Sequence, residues 1–355
     1  MPGILPMPAD CPAPETHHTV SLEHPVLRLG LAGFSRASQA LVAALLSEQP
    51  KGWPHWRVVP FADADAWWVD GSQIRVLRDG TLKVAAAERS DRALQINLSE
   101  VDRPIAFSTP LVQPDFEPAY TFDLEDETSV RHVLQQFEGW LRPLRAQFAL
   151  GAEIIHREAD LKPAIYHLSL KGALLAVVDL HEWQVGLSPT ARPVDLDQAS
   201  WDKRPAGAND IPSGFVRMRL AQVMWTYAQR TRQDVLPARY RGGLIYLRHA
   251  PMVPAQWLSE RQQWLLAELA QAPESFDSLR ERSGTKNSQL SRDLAILYFS
   301  GALTSEAANA AAAKPAKAAK RAAKVLKSAE VEPSPIGADS RLAAPSPNYI
   351  LGVRA

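Results

Sequence analysis

The most specific architectural signal in the chain is a series of three short helical segments between residues 256 and 301. Their sequences are QWLSERQQWLLAELAQ (256–271), SFDSLRERSG (275–284) and KNSQLSRDLAILYFSG (286–301). Ser275 and Thr285 precede the second and third segments and are suitable N-caps, because a hydroxyl oxygen accepts hydrogen bonds from the first free amides of a helix. A turn containing Gly284 separates these two segments, so we predict a compact three-helix unit.

This pattern resembles a helix-turn-helix domain of the winged type over Trp257–Thr304. The resemblance implies that the third helix binds DNA and that side chains near its start contact the base edges. These side chains belong to Lys286, Asn287, Ser288, Gln289 and Arg292. Residues 255–305, however, contain five basic and six acidic residues, whereas most DNA-binding modules are strongly basic. Because winged helices also bind proteins, the fold leaves the partner of this unit open.

An Ala/Lys tract follows the three helices and carries a positive charge that the zero net charge of the chain conceals. The 355 residues include 39 basic and 39 acidic ones, which gives a net charge of zero. Residues 307–329 contain six basic residues and no acid, so the rest of the chain carries −6. The six are Lys314, Lys317, Lys320, Arg321, Lys324 and Lys327. This composition resembles the Lys/Ala-rich tails of histone-like bacterial proteins and predicts salt-dependent contacts with DNA phosphates. A flexible solubilising linker is the alternative interpretation.

The N-terminal part reads as a largely parallel α/β unit. An apolar strand (26–34) precedes a helix (35–49) that Ser35 can cap, and further strands follow at 56–61, 66–71, 93–98 and 103–109, with a hairpin at 74–84. This arrangement resembles a response-regulator receiver domain over residues 26–108. The acidic pair and the lysine of a working receiver are missing, since Gly33-Phe34-Ser35-Arg36 and Ser108-Thr109-Pro110 occupy those positions. We therefore expect a degenerate receiver without a Mg²⁺ site, in which Asp70 lies in a turn.

The middle part reads as an antiparallel meander with strands at 164–170, 173–180 and 182–187. A helix is predicted before it at about 128–150, and a long loop (188–215), a helix (216–231) and a strand (243–250) after it. Residues 201–204 of the loop include one aromatic and two basic residues, and an Arg-x-x-Asp pattern (157–160) precedes the meander, as in some cyclic-dinucleotide sites. A small anionic ligand would accordingly contact Arg157, Asp160, Trp201, Lys203 and Arg204. A well-packed surface loop is the alternative.

Catalytic and metal-binding patterns are not found in the sequence. His181-Glu182 has no second histidine four residues after the first, and Gly284-Thr285-Lys286 lacks the upstream glycine of a phosphate loop. The single cysteine, Cys11, forms no internal disulfide, which favours a cytoplasmic location, and no spanning segment is predicted. We therefore predict no catalytic residue, metal or cofactor. The apolar hexamer NYILGV (348–353) is expected to pair with the short strand at 302–304.

Taken together, these patterns predict an α/β plus α+β protein: a degenerate receiver-like parallel sheet domain, a middle antiparallel-sheet domain and a C-terminal three-helix winged-helix-like domain. The predicted boundaries are 1–24 (disordered leader), 25–110 (receiver-like), 111–151 (acidic linker and connecting helix), 152–253 (middle), 254–305 (winged-helix-like), 306–346 (flexible, Ala/Lys- and Pro/Ser-rich) and 347–355 (terminal strand). The predicted function is that of a non-enzymatic cytoplasmic regulator that binds DNA. The alternative is a signalling adaptor that binds partner proteins or a small (cyclic di)nucleotide through the middle domain.

Overall fold

The computed structural model describes residues 23–48, 53–77, 80–85, 93–113, 116–205, 207–208 and 210–311. Within these ranges the chain forms a mixed α/β fold with a five-stranded parallel sheet and several antiparallel sheets. The six basic residues of the Ala/Lys tract, the terminal hexamer and the leader up to residue 22 lie outside the described residues.

The N-terminal part contains the parallel sheet and a small antiparallel one. The strands are β1 (Val26–Ala32), β2 (His55–Val59), β3 (Ala66–Val69), β4 (Ile74–Val76), β5 (Thr81–Val84), β6 (Leu94–Asn97), β7 (Ile105–Ser108) and β8 (Thr121–Phe122). The parallel sheet has the order β2-β1-β3-β7-β8, and β4, β5 and β6 form a separate antiparallel meander. The predicted strand at 93–98 therefore pairs in the meander. The expected hairpin joins β4 and β5, although Asp79 of its turn lies outside the described residues.

Helices cover one face of the parallel sheet, and the meander covers the other. Helix α1 (Arg36–Ser47) begins after Ser35, whose hydroxyl accepts a hydrogen bond from the Ser38 amide as predicted. Helix α2 (Glu127–Trp140) packs Val133 and Phe137 against the buried side chains of β1, β2 and β3. On the opposite face, apolar side chains of the meander β4-β5-β6 pack against Ala32, Val69 and Phe107. The sheet is thus buried on both faces, as parallel sheets generally are.

The predicted helix at 128–150 is in fact two helices, α2 and α3 (Arg142–His156). Leu141 separates them, and Pro143 lies in the first turn of α3, where proline is tolerated because that amide needs no helical partner. Phe137 belongs to the core under the parallel sheet, whereas Phe148 belongs to the core of the middle part. The continuous apolar stripe in the sequence therefore serves two different cores.

The middle part is a five-stranded antiparallel sheet of order β12-β9-β10-β11-β13. Its elements are β9 (Ile165–Leu170), β10 (Ala173–Asp179), β11 (Gln184–Leu187), α4 (Pro193–Asp197), β12 (Ser200–Arg204) and β13 (Val216–Arg219). The predicted meander is confirmed, and its Lys171-Gly172 turn has φ angles of 51° and 82°, as a two-residue hairpin turn requires. The prediction of one long loop at 188–215 is wrong, because α4 and the edge strand β12 lie within it.

The C-terminal part confirms three helices in the predicted order. Its elements are α5 (Leu220–Arg230), α6 (Arg239–Gly242), β14 (Leu244–Leu247), α7 (Glu260–Gln271), β15 (Glu274–Ser275), α8 (Phe276–Ser283), α9 (Asn287–Phe299) and β16 (Leu303–Thr304). Ser275 caps α8 as predicted. Thr285 does not cap α9: its hydroxyl lies 2.8 Å from the Ser283 hydroxyl, and Lys286 is the N-cap residue without a side-chain hydrogen bond.

Strand β14 has unexpected partners. It lies between β15 and β16 in a three-stranded antiparallel sheet, although its sequence position suggested the middle sheet. The strand that pairs with β16 therefore precedes the three helices, whereas we expected it to come from the terminal hexamer, which lies outside the described residues. Within the described ranges, none of the helices combines the length and the apolar composition needed to cross a bilayer.

Candidate nucleic-acid interface and ligand site

The start of α9 is open to solvent. Gly284 adopts a left-handed conformation (φ 62°) after α8, which turns the chain sharply so that α9 can begin three residues later, at Asn287. Lys286, Asn287 and Ser288 at this start are all exposed. The apolar side of the helix, including Leu290, Leu294 and Leu297, is buried in the C-terminal core. The first turn of α9 thus presents a cation, an amide and a hydroxyl outward.

The other two residues predicted to read DNA are engaged within the protein. Gln289 Nε2 lies 3.3 Å from both carboxylate oxygens of Asp293, four residues along the same helix. Arg292 Nη2 donates a hydrogen bond at 3.3 Å to the backbone carbonyl of Thr231, the C-cap residue of α5. The five predicted residues therefore divide into three exposed ones and two that contact the body of the protein.

Acidic neighbours neutralise most other cations of this unit. Arg280 pairs with Asp277 at 3.2 Å, and Arg282 pairs with Glu274 at 2.7 Å and also with Glu268. Arg261 pairs with the buried carboxylate of Asp293. Among the described residues of 255–305, Lys286 and Arg292 are the cations without an acidic partner. The surface around the start of α9 therefore has little net positive charge.

The predicted ligand residues of the middle part lie partly together. Trp201 packs against Tyr166 with ring centroids 6.0 Å apart, and the Arg157 guanidinium lies 5.6 Å from the Trp201 ring. Arg157 also pairs with Glu153 at 3.2 Å. Lys203 and Arg204 are exposed on the same edge strand, β12, rather than in a loop. Asp160 lies in the exposed turn after α3, where its amide donates to the Arg157 carbonyl at 2.9 Å.

Asp70 lies in a turn, as predicted. Its Oδ1 accepts hydrogen bonds from the Ser72 amide at 2.9 Å and from the Ser72 hydroxyl at 2.7 Å. The Ser108 hydroxyl from the end of β7 lies 3.4 Å from the same oxygen. The carboxylate therefore caps the short helical turn that follows β3. This local role accounts for an aspartate at the end of that strand.

A buried ion pair that the sequence did not indicate joins the parallel sheet to α5. Asp65, just before β3, receives two hydrogen bonds from Arg230, at 2.5 and 2.7 Å, and the side chains of both residues are 2 % exposed. Arg28 of β1 adds a backbone bond at 2.9 Å and a side-chain bond at 3.2 Å. Burial alone would raise the pKa of Asp65, but the charges and hydrogen bonds of Arg230 and Arg28 lower it to about 2. The carboxylate is ionised at neutral pH.

A second polar network lies beside this pair. Glu23 accepts hydrogen bonds from the Tyr227 hydroxyl at 3.2 Å and the Thr231 hydroxyl at 2.5 Å. Burial, followed by the charge of Glu23, raises the pKa of Tyr227 to about 12. The contacts span more than two hundred positions of sequence, so no local pattern could have revealed them. For the Asp65 pair, the sequence offered one sign of a buried partner: an aspartate directly before the apolar strand Ala66–Val69.

No metal centre is formed by the described residues, where no group of three or more His, Cys, Asp or Glu side chains is suitably placed. In comparisons with known proteins, the chain matches no family model, no curated protein and no solved structure.

Proposed function

We propose that the chain is a non-enzymatic cytoplasmic regulatory protein that binds DNA through its C-terminal part. The observation that carries this proposal is the open start of α9 after the glycine turn, with Lys286, Asn287 and Ser288 exposed. A helix that presents polar side chains at its N-terminal turn has the form of a recognition helix in a helix-turn-helix unit. The three-stranded sheet beside α7, α8 and α9 supports a winged-helix-like arrangement.

The N-terminal part supports a regulatory role. Its parallel sheet has the order 2-1-3-4-5 when its strands are numbered along the chain, which is the order of flavodoxin-like sheets, including receiver domains. The residue after the last parallel strand is Asp123, because β8 adds a strand beyond the one expected to be last. Lysine is absent there too, so we propose a degenerate receiver-like unit that is not switched by phosphorylation of Asp70.

We expect the Ala/Lys tract to supply most of the phosphate contacts, because the acidic side chains around α8 leave little positive charge on the folded unit. DNA affinity should therefore fall steeply with salt. Each phosphate contact contributes a slope of about −0.9 to the dependence of log affinity on log salt concentration.

The test is fluorescence anisotropy with a labelled duplex between about 50 and 200 mM salt, a range over which phosphate contacts change affinity strongly. Replacing the six basic residues of the tract by glutamine should flatten the salt slope and weaken binding. Lys286→Ala should weaken binding and reduce the slope by about one. Lys83→Ala, an exposed lysine on β5, is the matched control and should change neither. Undetectable binding of the full chain at low salt, or equal effects of Lys286→Ala and Lys83→Ala, rejects the proposal.

A second candidate function is the binding of a small nucleotide by the middle part. The contact between Arg157 and Trp201, with Lys203 and Arg204 exposed on the same strand, favours it, because aromatic and basic side chains bind bases and phosphates. A cyclic dinucleotide should then raise the melting temperature of the full chain, and Arg204→Ala should reduce the rise. No rise, or the same rise in Arg204→Ala, rejects this candidate.

A further inference from the structure

Five arginines lie on or directly after three elements that contact one another: the parallel sheet, the end of α5 and α9. We call them the junction arginines: Arg28, Arg57, Arg230, Arg232 and Arg292. Asp65 pairs with two of them, Arg28 and Arg230. The nearby Glu23 accepts a hydrogen bond from the backbone amide of Arg232 at 3.3 Å. Positive side chains thus outnumber the acidic ones that contact them at this junction.

The guanidinium group of Arg57 has no hydrogen bond or ion pair with any residue in the described ranges. It lies directly opposite Arg28 in the parallel pairing of β1 and β2. Partners at the same register position in neighbouring strands point to the same face of a sheet. Like charges in that position repel each other. Asp65 is already engaged by Arg230 and Arg28, so it does not compensate Arg57.

Arg292 approaches the same place from the DNA-binding unit. It donates to the Thr231 carbonyl at 3.3 Å, and the next residue, Arg232, contacts His55 of β2 at 2.6 Å. His55 precedes Arg57 by two residues, on the same face of the strand. Burial, followed by the charges of Arg292 and Arg28, lowers the pKa of Arg57. The contacts of Thr231 with Arg292 and of Arg232 with His55 thus place Arg292 near the strand that carries Arg57, and neither arginine has an acidic partner among the described residues.

We propose that the junction arginines bind a small dianion that carries a phosphate group, held between Arg57 of β2 and Arg292 of α9. The planar fork of an arginine matches two oxygens of a phosphate group, and two guanidinium groups balance its charge. Arg57 is exposed, so a ligand can reach it from solvent. Such a ligand would link the parallel sheet directly to the helix that carries Lys286. The site uses neither Lys286 nor the Ala/Lys tract. It does use Arg292, which the sequence placed among the DNA-reading residues but which contacts the body of the protein in the structure.

The experiment compares the melting temperature of the full chain in inorganic phosphate and in chloride at matched ionic strength. Phosphate should raise the melting temperature beyond chloride in the wild type, because a ligand that binds the folded state stabilises it. Arg57→Gln should abolish this excess. Without phosphate, the same variant should be at least as stable as the wild type, because a repulsive charge has been removed. Arg75→Gln, at an exposed arginine on β4, is the matched control and should keep the full excess.

Three results would overturn the proposal. The first is a phosphate effect in the wild type no larger than that of chloride, and the second is a full phosphate effect in Arg57→Gln. The third is no phosphate effect combined with a loss of duplex affinity in Arg57→Gln as large as in Lys286→Ala, which would assign Arg57 to the DNA interface. A nucleoside monophosphate distinguishes the source of the phosphate group. A larger shift than phosphate gives supports a phosphate ester as ligand, and an equal or smaller shift supports the free anion.

Discussion

Replacing Asp65 by asparagine should destabilise the protein more than any change to its surface ion pairs. The variant keeps the shape of the side chain but leaves the buried guanidinium of Arg230 without a counter-ion. Removing one partner of a buried pair costs about 3 to 5 kcal/mol, since the remaining charge is desolvated and uncompensated. The pKa of Asp65 gives a separate magnitude, because the fall from 3.8 to about 2 corresponds to about 2 kcal/mol. We therefore expect a loss of about 2 to 5 kcal/mol in the free energy of unfolding.

The assay is urea denaturation at neutral pH, monitored by tryptophan fluorescence, to which Trp67 and Trp68, two and three positions after Asp65, contribute. The matched control is Glu127→Gln, which breaks an exposed pair with Arg131 whose side chains are 56 % and 50 % exposed. Exposed pairs contribute about 0 to 1 kcal/mol, so this variant should unfold almost as the wild type does.

A double variant tests whether the cause is the unpaired charge. Adding Arg230→Met to Asp65→Asn removes the buried cation, so the double variant should be more stable than the sum of the two single losses implies. Strict additivity, or a loss of less than about 1 kcal/mol in Asp65→Asn, would refute the reasoning. The direction in which stability changes with pH also follows from this pKa. The pKa is lower in the folded state, so this stabilisation is present above about pH 3.8 and is lost as the pH falls towards about 2.

Three further predictions concern single positions. Gly151→Ala in α3 should cost about 1 to 3 kcal/mol by urea denaturation, because the new methyl group would lie 2.6 Å from Tyr227 Cβ; Gly139→Ala in α2, with open space around it, should instead stabilise by about 0.5 to 1 kcal/mol. Trp183→Gly should stabilise the protein by about 1 kcal/mol, since this exposed tryptophan has a φ of 54°, a backbone conformation that is strained for residues with a Cβ atom. A lower free energy of unfolding in the same assay contradicts this. Ultraviolet titration should show one tyrosine ionising near pH 12, absent from Tyr227→Phe; stability should fall from about pH 10 to about 12, because the folded state keeps this proton longer.

Local signals predicted much of the secondary structure. Helix α8 was located because Ser275 and Gly284 mark its two ends. Strands β9 and β10 were located because two apolar runs flank the Lys171-Gly172 turn. Strand β8 was missed because two residues carry no periodicity. Strand β12 was missed because its sequence, SWDKR, is mostly polar and exposed, as an edge strand can be.

The candidate site was predictable only where it depends on one segment. The exposed start of α9 follows from the amphipathic pattern of residues 286–301, which assigns Leu290 and Leu294 to the core. The inward contact of Arg292 could not be predicted, because its acceptor is a backbone carbonyl at Thr231, in a different part of the chain. The pairing of Asp65 with Arg230 was equally hidden, since 165 positions separate them.

Helix α5 contacts all three parts of the fold, and these contacts restrict its movement. Val223 and Tyr227 lie in the middle core, Trp225 and Ala228 lie in the C-terminal core, and Arg230 holds Asp65 beneath the parallel sheet. A rotation of α5 about its axis would expose apolar surface on both sides and strain the buried ion pair at once. The proposed ligand between Arg57 and Arg292 would lie at the end of α5 and would add a further contact between the parallel sheet and α9.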